Sequence, residues 1–373
     1  MTKLYARFIS ALFCLFIFGF GILLFATPDR EFSEQENRYL ARFEAPTWES
    51  IVSGEFMESF EDYVVDQFPL RDEWIALKAR CEKLLGKQEN NAVYFGTDDK
   101  TLFAQITIPT VEDFAGRINY LNRLGDKLDV PVWFSLIPDK SFVWADRLPE
   151  NAVKVDDGSM NVMVHEFIGA DVGYIDMTDA LHGDDVFYRT DHHWTTMGAF
   201  QGYVSLMEAM GRDWVQPAGD PTQVSDRFFG TTWSSSGASW IAPDVIHTWV
   251  GEEGGIEVER WPEGRPIKGE LYDESFLEKK DKYSMFLGGN QPLCVLRNDA
   301  AEGSGKLLVV RDSYSDSIAP FLAQSYEEVH LLDLRYYKMP LSAYVAQNGI
   351  DEVLVLYSAA NFTTDNNLFL LGM

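Results

Sequence analysis

Cysteine is scarce in this chain, which has three in 373 residues, at Cys14, Cys81 and Cys294. No Cys-x-x-Cys pair and no Cys/His spacing typical of zinc occurs, which excludes a disulfide-stapled scaffold and a structural zinc module. Cys81 lies on a predicted helix and Cys294 in a predicted apolar strand. A single Cys81–Cys294 bridge would fit this count, but the pattern favours buried free thiols.

Basic residues are also few, since 31 Lys and Arg face 58 Asp and Glu and the formal net charge is −27. This deficit excludes a surface built to neutralise nucleic-acid phosphates and disfavours a chain that lies flat on anionic lipid. We therefore expect no nucleic-acid partner. The acidity suits a domain kept soluble outside the cytoplasm, and it favours a neutral glycan or an acyl donor over a polyanion as ligand.

Low-complexity tracts, Pro/Ser-rich linkers and internal repeats are absent from the sequence, which excludes solenoids and linker-joined arrays. Hydrophobic residues make up 46% of the chain and aromatic residues 14%, which is enough for a substantial core. The length therefore suits one large α/β domain, or such a domain with an insertion.

Long uncharged apolar runs are confined to the N-terminus, where one extends from Phe8 to Ala26 behind Lys3 and Arg7. A run of this length crosses a bilayer as a helix, and its basic flank keeps the N-terminus in the cytoplasm. We predict that residues 1–27 form a single-pass anchor and that residues 28–373 form an extracytoplasmic domain. A cleaved signal peptide is the alternative, although Phe25-Ala26-Thr27 is a poor cleavage site.

Strand-like and helix-like segments alternate along most of the chain. The segments that predict buried strands are short apolar runs at 130–137, 172–177, 307–310, 328–332 and 353–357. Helical periodicity between them predicts a parallel sheet flanked by helices, an α/β fold. Residues from about 212 to 290 break the alternation, and their Gly, Ser, Thr and Trp content predicts a β-rich insertion.

Two polar clusters carry residue types that suit acyl transfer. The first holds Asp191 and His193, and the second places Ser313 directly after an apolar strand and before a helix. In an extended segment, residues two apart share a face, so we expect Asp191 to orient His193 while His192 points away. His193 would then act as base toward Ser313 in a Ser-His-Asp triad. The alternatives are a polar helix cap at Thr195 for the first cluster and an N-cap serine for the second.

Oxyanion donors are harder to assign because the chain has no Gly-x-Ser-x-Gly motif, and Arg311 stands where a glycine often precedes such a serine. The candidates are the backbone N–H of Gly289 and the amide of Asn290, with Arg311 as a further substrate-binding residue. A tight turn leading into the next strand is the alternative at Gly289.

Tandem histidines also suit a metal site. The chain has six histidines and no His-x-His or His-x-x-x-His pair, so the spacing gives this hypothesis little support. We expect no metal and no cofactor.

Seven separated motifs resemble the DHHW family of bacterial proteins, which is related to alginate O-acetyltransferase proteins with an SGNH-hydrolase-like domain. The resemblance extends from about Phe32 to the C-terminus. Its motifs are Ser33–Arg38, Asp66–Arg71, Pro138–Lys140, Thr190–Trp194, Phe229–Thr231, Arg311–Tyr314 and Asp333–Tyr337.

The resemblance implies an SGNH-hydrolase-like fold with Asp191, His193 and Ser313 at the catalytic positions. It further implies an O-acetyltransferase that modifies hydroxyls of a cell-surface or secreted polysaccharide, with a multipass membrane acyltransferase as acetyl donor. A carbohydrate esterase with the same triad and a non-catalytic glycan-binding subunit of an exopolysaccharide complex remain as alternatives.

Overall fold

The computed structural model of the protein describes residues 3–153, 157–251 and 255–373. Residues 1 and 2 of the predicted anchor and residues 252–254 of the predicted insertion lie outside the described residues.

The strands are short and number fifteen in the described ranges. In chain order they are β1 Phe32–Ser33, β2 Arg38–Tyr39, β3 Glu89–Asn90, β4 Val93–Phe95, β5 Leu102–Ala104, β6 Val132–Ile137, β7 Val172–Asp176, β8 Thr222–Phe228, β9 Asp244–Thr248, β10 Glu257–Arg260, β11 Ile267–Gly269, β12 Leu293–Arg297, β13 Lys306–Arg311, β14 Glu328–Leu332 and β15 Glu352–Ser358.

The described ranges also contain twelve α-helices. They are α1 Lys3–Ala26, α2 Trp48–Ser53, α3 Glu55–Asp66, α4 Arg71–Leu84, α5 Val111–Gly125, α6 Lys140–Val143, α7 Asp157–Phe167, α8 Thr196–Ala209, α9 Thr231–Ser236, α10 Ser315–Ser325, α11 Leu341–Asn348 and α12 Ala359–Thr364.

An eight-stranded sheet in the order β11-β10-β12-β14-β13-β15-β6-β7 forms the centre of the protein. The five strands from β14 to β7 are parallel, and β12, β10 and β11 add antiparallel pairs at one edge. This arrangement confirms the predicted α/β fold with a parallel sheet flanked by helices. The five predicted strands lie within one or two residues of the observed β6, β7, β13, β14 and β15.

Two hydrophobic cores cover the two faces of this sheet. Leu307 and Val309 of β13 pack into one core, and Leu308 and Val310 pack into the other. All four side chains are fully buried. The four consecutive apolar residues of β13 therefore suit the middle of a sheet that is covered on both faces.

The segment between residues 212 and 290 does contain strands, but they do not form a unit apart from the sheet. The pair β8 and β9 lies outside the central sheet, whereas β10 and β11 extend it beyond β12. The division of the chain into an anchor, a domain and an insertion stays a prediction.

The N-terminal helix α1 is the one helix in the described residues that is long and apolar enough to cross a membrane. Most of its side chains are exposed, and near its C-terminal end Phe20 stacks on Phe68 with ring centroids 5.2 Å apart. Two of the sequence motifs meet below it, because Arg38 pairs with Asp66 and Arg71 pairs with Glu36.

All three cysteines are free thiols. Cys294 is buried in β12, as predicted, and burial raises the pKa of its thiol to about 12. Cys81 is exposed on α4 rather than buried. The predicted helix is correct, but its Cys81 face is not covered by another element.

Candidate active site

The three predicted triad residues meet at the carboxyl edge of the parallel strands, where ligands bind in open α/β sheets. Ser313 follows β13 and precedes α10, as predicted, and its side chain is half-buried. The N-cap of α10 is Tyr314, and no side chain caps that end. The alternative of Ser313 as a capping serine is therefore not observed.

A continuous chain of hydrogen bonds links the three side chains. His193 Nδ1 lies 2.5 Å from Asp191 Oδ1, and His193 Nε2 lies 2.8 Å from Ser313 Oγ. With Nδ1–H donating to the carboxylate, Nε2 is left to accept the Ser313 hydroxyl proton. This is the arrangement that a serine nucleophile, a general base and an orienting carboxylate require.

The local route to this geometry differs from the predicted extended segment. The Asp191–His193 stretch is a bent loop closed by pairing of Phe187 with Trp194. Within it Asp191 Oδ1 also accepts the backbone N–H of His193 at 3.0 Å. An aspartate that bonds its own backbone two residues on stabilises a turn, so turn chemistry and not strand alternation brings the two side chains together.

The prediction that His192 points away from this pair was wrong. Its ring lies beside the His193 ring, with centroids 3.8 Å apart, and its Nδ1 is 2.8 Å from Thr231 Oγ1. The bent backbone places consecutive side chains on the same side of the loop. His192 therefore belongs to the site, and its Nδ1 also lies 3.6 Å from Asp191 Oδ1, the oxygen that His193 contacts.

Asp191 is buried and fully engaged. Its second oxygen, Oδ2, accepts the Thr231 backbone N–H at 2.7 Å and the Thr231 hydroxyl at 3.0 Å. The residue before Thr231 is Gly230, where a Cβ atom would overlap the Asp191 side chain. A glycine is therefore required for the approach of this backbone to the carboxylate.

The surroundings shift the pKa values of Asp191 and His192. Burial alone would raise the pKa of Asp191, but His192 and His193 beside it hold that pKa well below its usual value. Desolvation and the neighbouring His193 lower the pKa of His192 to about 4. Asp191 is therefore anionic and His192 neutral across the physiological range.

Lys140 supports the loop from beneath. Its buried Nζ donates to the carbonyls of Tyr188 at 3.1 Å, Arg189 at 3.3 Å and Asp191 at 2.6 Å. Desolvation lowers its pKa to about 8, while Asp139 and Asp191 oppose that change. One ammonium group thus satisfies three carbonyls of a bent, buried loop.

Aromatic side chains join the two clusters. Trp194 Nε1 donates to the Tyr314 carbonyl at 3.0 Å, and the Tyr314 hydroxyl donates back to the His192 carbonyl. On its other side His193 is covered by Tyr283, whose ring is nearly parallel at 3.8 Å and 9°. His193 is therefore held between two rings as well as between its two hydrogen-bond partners.

Asp312 organises the turn that presents Ser313. Its Oδ1 accepts the Tyr314 N–H at 3.1 Å, and its Oδ2 accepts the Ser358 hydroxyl at 2.7 Å and Asn361 Nδ2 at 2.8 Å. The carboxylate therefore ties the end of β13 to the end of β15 and to α12.

The candidates for oxyanion and substrate binding are engaged elsewhere. The Gly289 N–H donates to the Phe286 carbonyl at 3.2 Å, and positive φ at Gly288 and Gly289 is typical of a tight turn. Asn290 Oδ1 accepts from buried Arg311 at 2.9 Å, and Arg311 lies 3.0 Å from Asp316. The turn matches the alternative stated for Gly289, and Arg311 is held in an ion pair with Asp316. These contacts give no support to oxyanion or substrate contacts at the three residues.

Asp191, His192 and His193 also form a group in which one ligand atom from each lies within 4.8 Å of the others. Their donor atoms are directed to one another and to Thr231 in the hydrogen bonds described above. His193 Nε2 is in addition hydrogen-bonded to Ser313 Oγ.

Several of these residues were not singled out from the sequence. Tyr283 carries no motif signal, and its position depends on the fold of the segment before β12. Lys140 and Thr231 lie in the Pro138–Lys140 and Phe229–Thr231 motifs, which the sequence analysis used only as marks of resemblance. The occurrence of those motifs was the signal that could have led to them.

Comparison with known proteins gives a partial sequence match and a broader structural one. The family model described as an SGNH hydrolase-like domain, acetyltransferase AlgX, matches residues 108–237. That span contains Asp191 and His193 and ends before Ser313. No curated protein matches the sequence.

Two solved structures share the fold over most of their length. A DHHW family protein from Eubacterium siraeum is 20% identical with a TM-score of 0.63, covering 76% of this chain and 95% of its own. Bacillus cereus PatB1 is 23% identical with a TM-score of 0.62, and the match covers 73% of this chain and 97% of PatB1. PatB1 has also been solved with a sulfonyl adduct. The chain is thus similar to AlgX-type SGNH hydrolase-like proteins in sequence over residues 108–237 and to a DHHW family protein in fold, which confirms the resemblance that its motifs predicted.

Proposed function

We propose that this protein is an extracytoplasmic O-acetyltransferase that modifies hydroxyls of a cell-surface or secreted polysaccharide. The observation that carries the proposal is the unbroken hydrogen-bonded chain from Asp191 through His193 to Ser313. The acetyltransferase description of the matching family model supports the choice of reaction. The apolar helix α1 supports a membrane-anchored protein whose catalytic domain lies outside the cytoplasm.

The first half of the reaction loads the serine. His193 Nε2 accepts the hydroxyl proton as Ser313 Oγ attacks the carbonyl carbon of the acetyl donor, and Asp191 stabilises the resulting imidazolium. The N-terminus of α10 adds positive partial charge beside the developing oxyanion. His193 then gives the proton to the leaving group, which leaves an acetyl ester on Ser313.

The second half transfers the acetyl group. A sugar hydroxyl gives its proton to His193 Nε2 and attacks the acetyl carbonyl, and the proton returns to Ser313 Oγ as the ester bond breaks. The donor would be an acetyl carrier served by a multipass membrane acyltransferase.

The same triad would act as a carbohydrate esterase if water replaced the sugar. The two reactions are separated by turnover of a chromogenic acetyl ester with and without an oligosaccharide acceptor. A transferase releases the chromophore faster with acceptor present and yields an acetylated oligosaccharide, whereas an esterase yields free acetate at an unchanged rate. An enzyme that gives only acetate contradicts the transferase assignment, and a folded domain inert to all acyl esters supports a glycan-binding subunit instead.

A further inference from the structure

A cleft of about 420 Å³ lies beside the candidate active site. Its walls are formed by the hairpin of β4 and β5, by α9, and by the end of β15 with the start of α12. His192, whose ring contacts the His193 ring, and Tyr314, the residue after Ser313, are both on the wall. The volume is within the range of small-molecule sites, roughly 300–1,000 Å³.

The cleft is lined by polar residues and by apolar surface together, and no cation is among its lining residues. Among the residues that line the cleft, ten offer amide, hydroxyl, imidazole or carboxyl groups, five are Ala, Val or Ile, and none is Lys or Arg. Asp139 is the one carboxyl group, and burial raises its pKa. His192 is neutral near pH 7 because its pKa is about 4.

We propose that this cleft binds the acceptor, and that the acceptor segment bound here is an uncharged, hydroxyl-rich glycan rather than a polyanion. The role of this ligand as acceptor rests on the proposed function. Its uncharged, hydroxyl-rich chemistry is argued from the lining of the cleft.

Amide and hydroxyl side chains are matched to sugar hydroxyls because each can both donate and accept. Asn361 of α12 and Ser235 of α9 supply such groups, and Ile106 and Ala360 supply half-buried apolar surface for the C–H face of a sugar ring. A carboxylate or phosphate placed here would meet no Lys or Arg among the lining residues, while the chain as a whole carries a net charge of −27.

A second cavity in the same protein has cations among its lining residues. It lies on the Trp233 side of α9 and is lined by Arg227, Lys279, Lys280 and Lys282 together with three carboxylates. Lys280 Nζ sits over the Trp233 ring at 4.5 Å. Cations are thus present near the site but are absent from the cleft that His192 and Tyr314 line.

Binding is measured by titration calorimetry on the full chain carrying Ser313→Ala, which cannot form an acyl-enzyme. The probes are neutral hexasaccharides of glucose, galactose and N-acetylglucosamine, and a hexasaccharide of uronic acid. At least one neutral probe should bind at least tenfold more tightly than the uronate. Ala360→Tyr, which fills the cleft from its half-buried wall position, should weaken that binding at least tenfold.

Ala346→Tyr, at an exposed position on α11, is the matched control and should leave binding unchanged. Tighter binding of the uronate, no binding of any neutral probe, or neutral binding that Ala360→Tyr leaves intact overturns the inference. Because Ser313→Ala removes the chemistry from this measurement, its outcome is independent of acyl-serine formation, which tests the proposed function separately.

Discussion

At the residue scale the site is organised around one imidazole. His193 is hydrogen-bonded to Asp191 and Ser313 at its two nitrogens, and its two faces are covered by His192 and Tyr283. The ring can neither rotate about its side-chain bonds nor flip without breaking several contacts. Such restraint is what a base needs if it is to meet the same proton in each turnover.

Replacing the two neighbouring histidines should separate their roles. His193→Ala removes the base and should lower the rate of acetyl-ester turnover by at least ~10³-fold. His192→Gln keeps a polar side chain beside Thr231 and should lower the rate by less than about tenfold, because the Ser313 hydroxyl is hydrogen-bonded to His193 and not to His192. Steady-state kinetics on variants with native circular dichroism checks this, and equal losses from both would contradict the assignment.

The low pKa of His192 links stability to pH. Its folded-state pKa of about 4 lies below the unfolded value of about 6.5, so the unfolded chain binds more protons between those limits. Stability from this residue is therefore fully present above about pH 6.5 and is lost as the pH falls toward 4. Since the ring is one-third exposed, we expect a loss of about 1–2 kcal/mol.

Urea unfolding of the wild type and of His192→Gln at several pH values measures this effect. The difference in unfolding free energy between the two proteins should change with pH between 6.5 and 4 and be flat above 7. A difference that is constant from pH 4 to 7 would contradict the lowered pKa.

At this scale residue identity was more predictable than residue environment. The order of Asp191, His193 and Ser313 follows from their types and from the motifs that contain them. The contact of His192 with His193 depends on a loop bend that hydropathy does not encode, and the stacking of Tyr283 depends on a contact between segments 90 residues apart in sequence.

At the element scale two turns face each other across the site. The loop before α8 carries Asp191 and His193, and the turn between β13 and α10 carries Ser313. They are joined by Trp194, which donates to the Tyr314 carbonyl, and by the Tyr314 hydroxyl, which donates to the His192 carbonyl. The alignment of Ser313 with His193 therefore depends on both turns together.

Substitution of Gly230 tests the close packing of the start of α9 against the loop that carries Asp191 and His193. In Gly230→Ala the added methyl overlaps Asp191, so the carboxylate must shift and its bond to His193 should weaken. We expect a loss of about 1–3 kcal/mol in unfolding free energy and a clear fall in turnover rate. Gly116→Ala in α5, where nothing lies within 4 Å of the added atom, is the matched control; it should keep the turnover rate and raise the unfolding free energy by about 0.5–1 kcal/mol, because alanine favours a helix interior more than glycine does. A Gly230→Ala protein with wild-type stability and turnover would contradict this role.

Elements with local signals were predicted well. The helix that Thr195 caps and the strand before Ser313 follow from capping and from continuous apolar runs. The addition of β10 and β11 to the central sheet was not predicted, because antiparallel pairing between distant segments leaves no periodic signature of its own.

At the scale of the whole molecule the apolar helix α1 is expected to place the active site next to a membrane. The full chain should stay with membranes in high salt, and a reporter fused after Arg30 should be active outside the cytoplasm. A chain that lacks residues 1–27 should be soluble and keep its acyl-ester activity. Release of a shortened mature chain into the medium would instead identify a cleaved signal peptide.

The central claim is that Ser313 is a nucleophile activated by His193, and the direct measurement is the mass of the protein after brief exposure to an activated acetyl ester or a sulfonyl fluoride. We predict that the wild-type protein forms a single adduct, which peptide sequencing maps to Ser313. In His193→Ala the adduct should form at least ~10³-fold more slowly, and a natively folded Ser313→Ala protein should form none. An adduct on another residue, or acetyl transfer that persists in Ser313→Ala, would contradict the account.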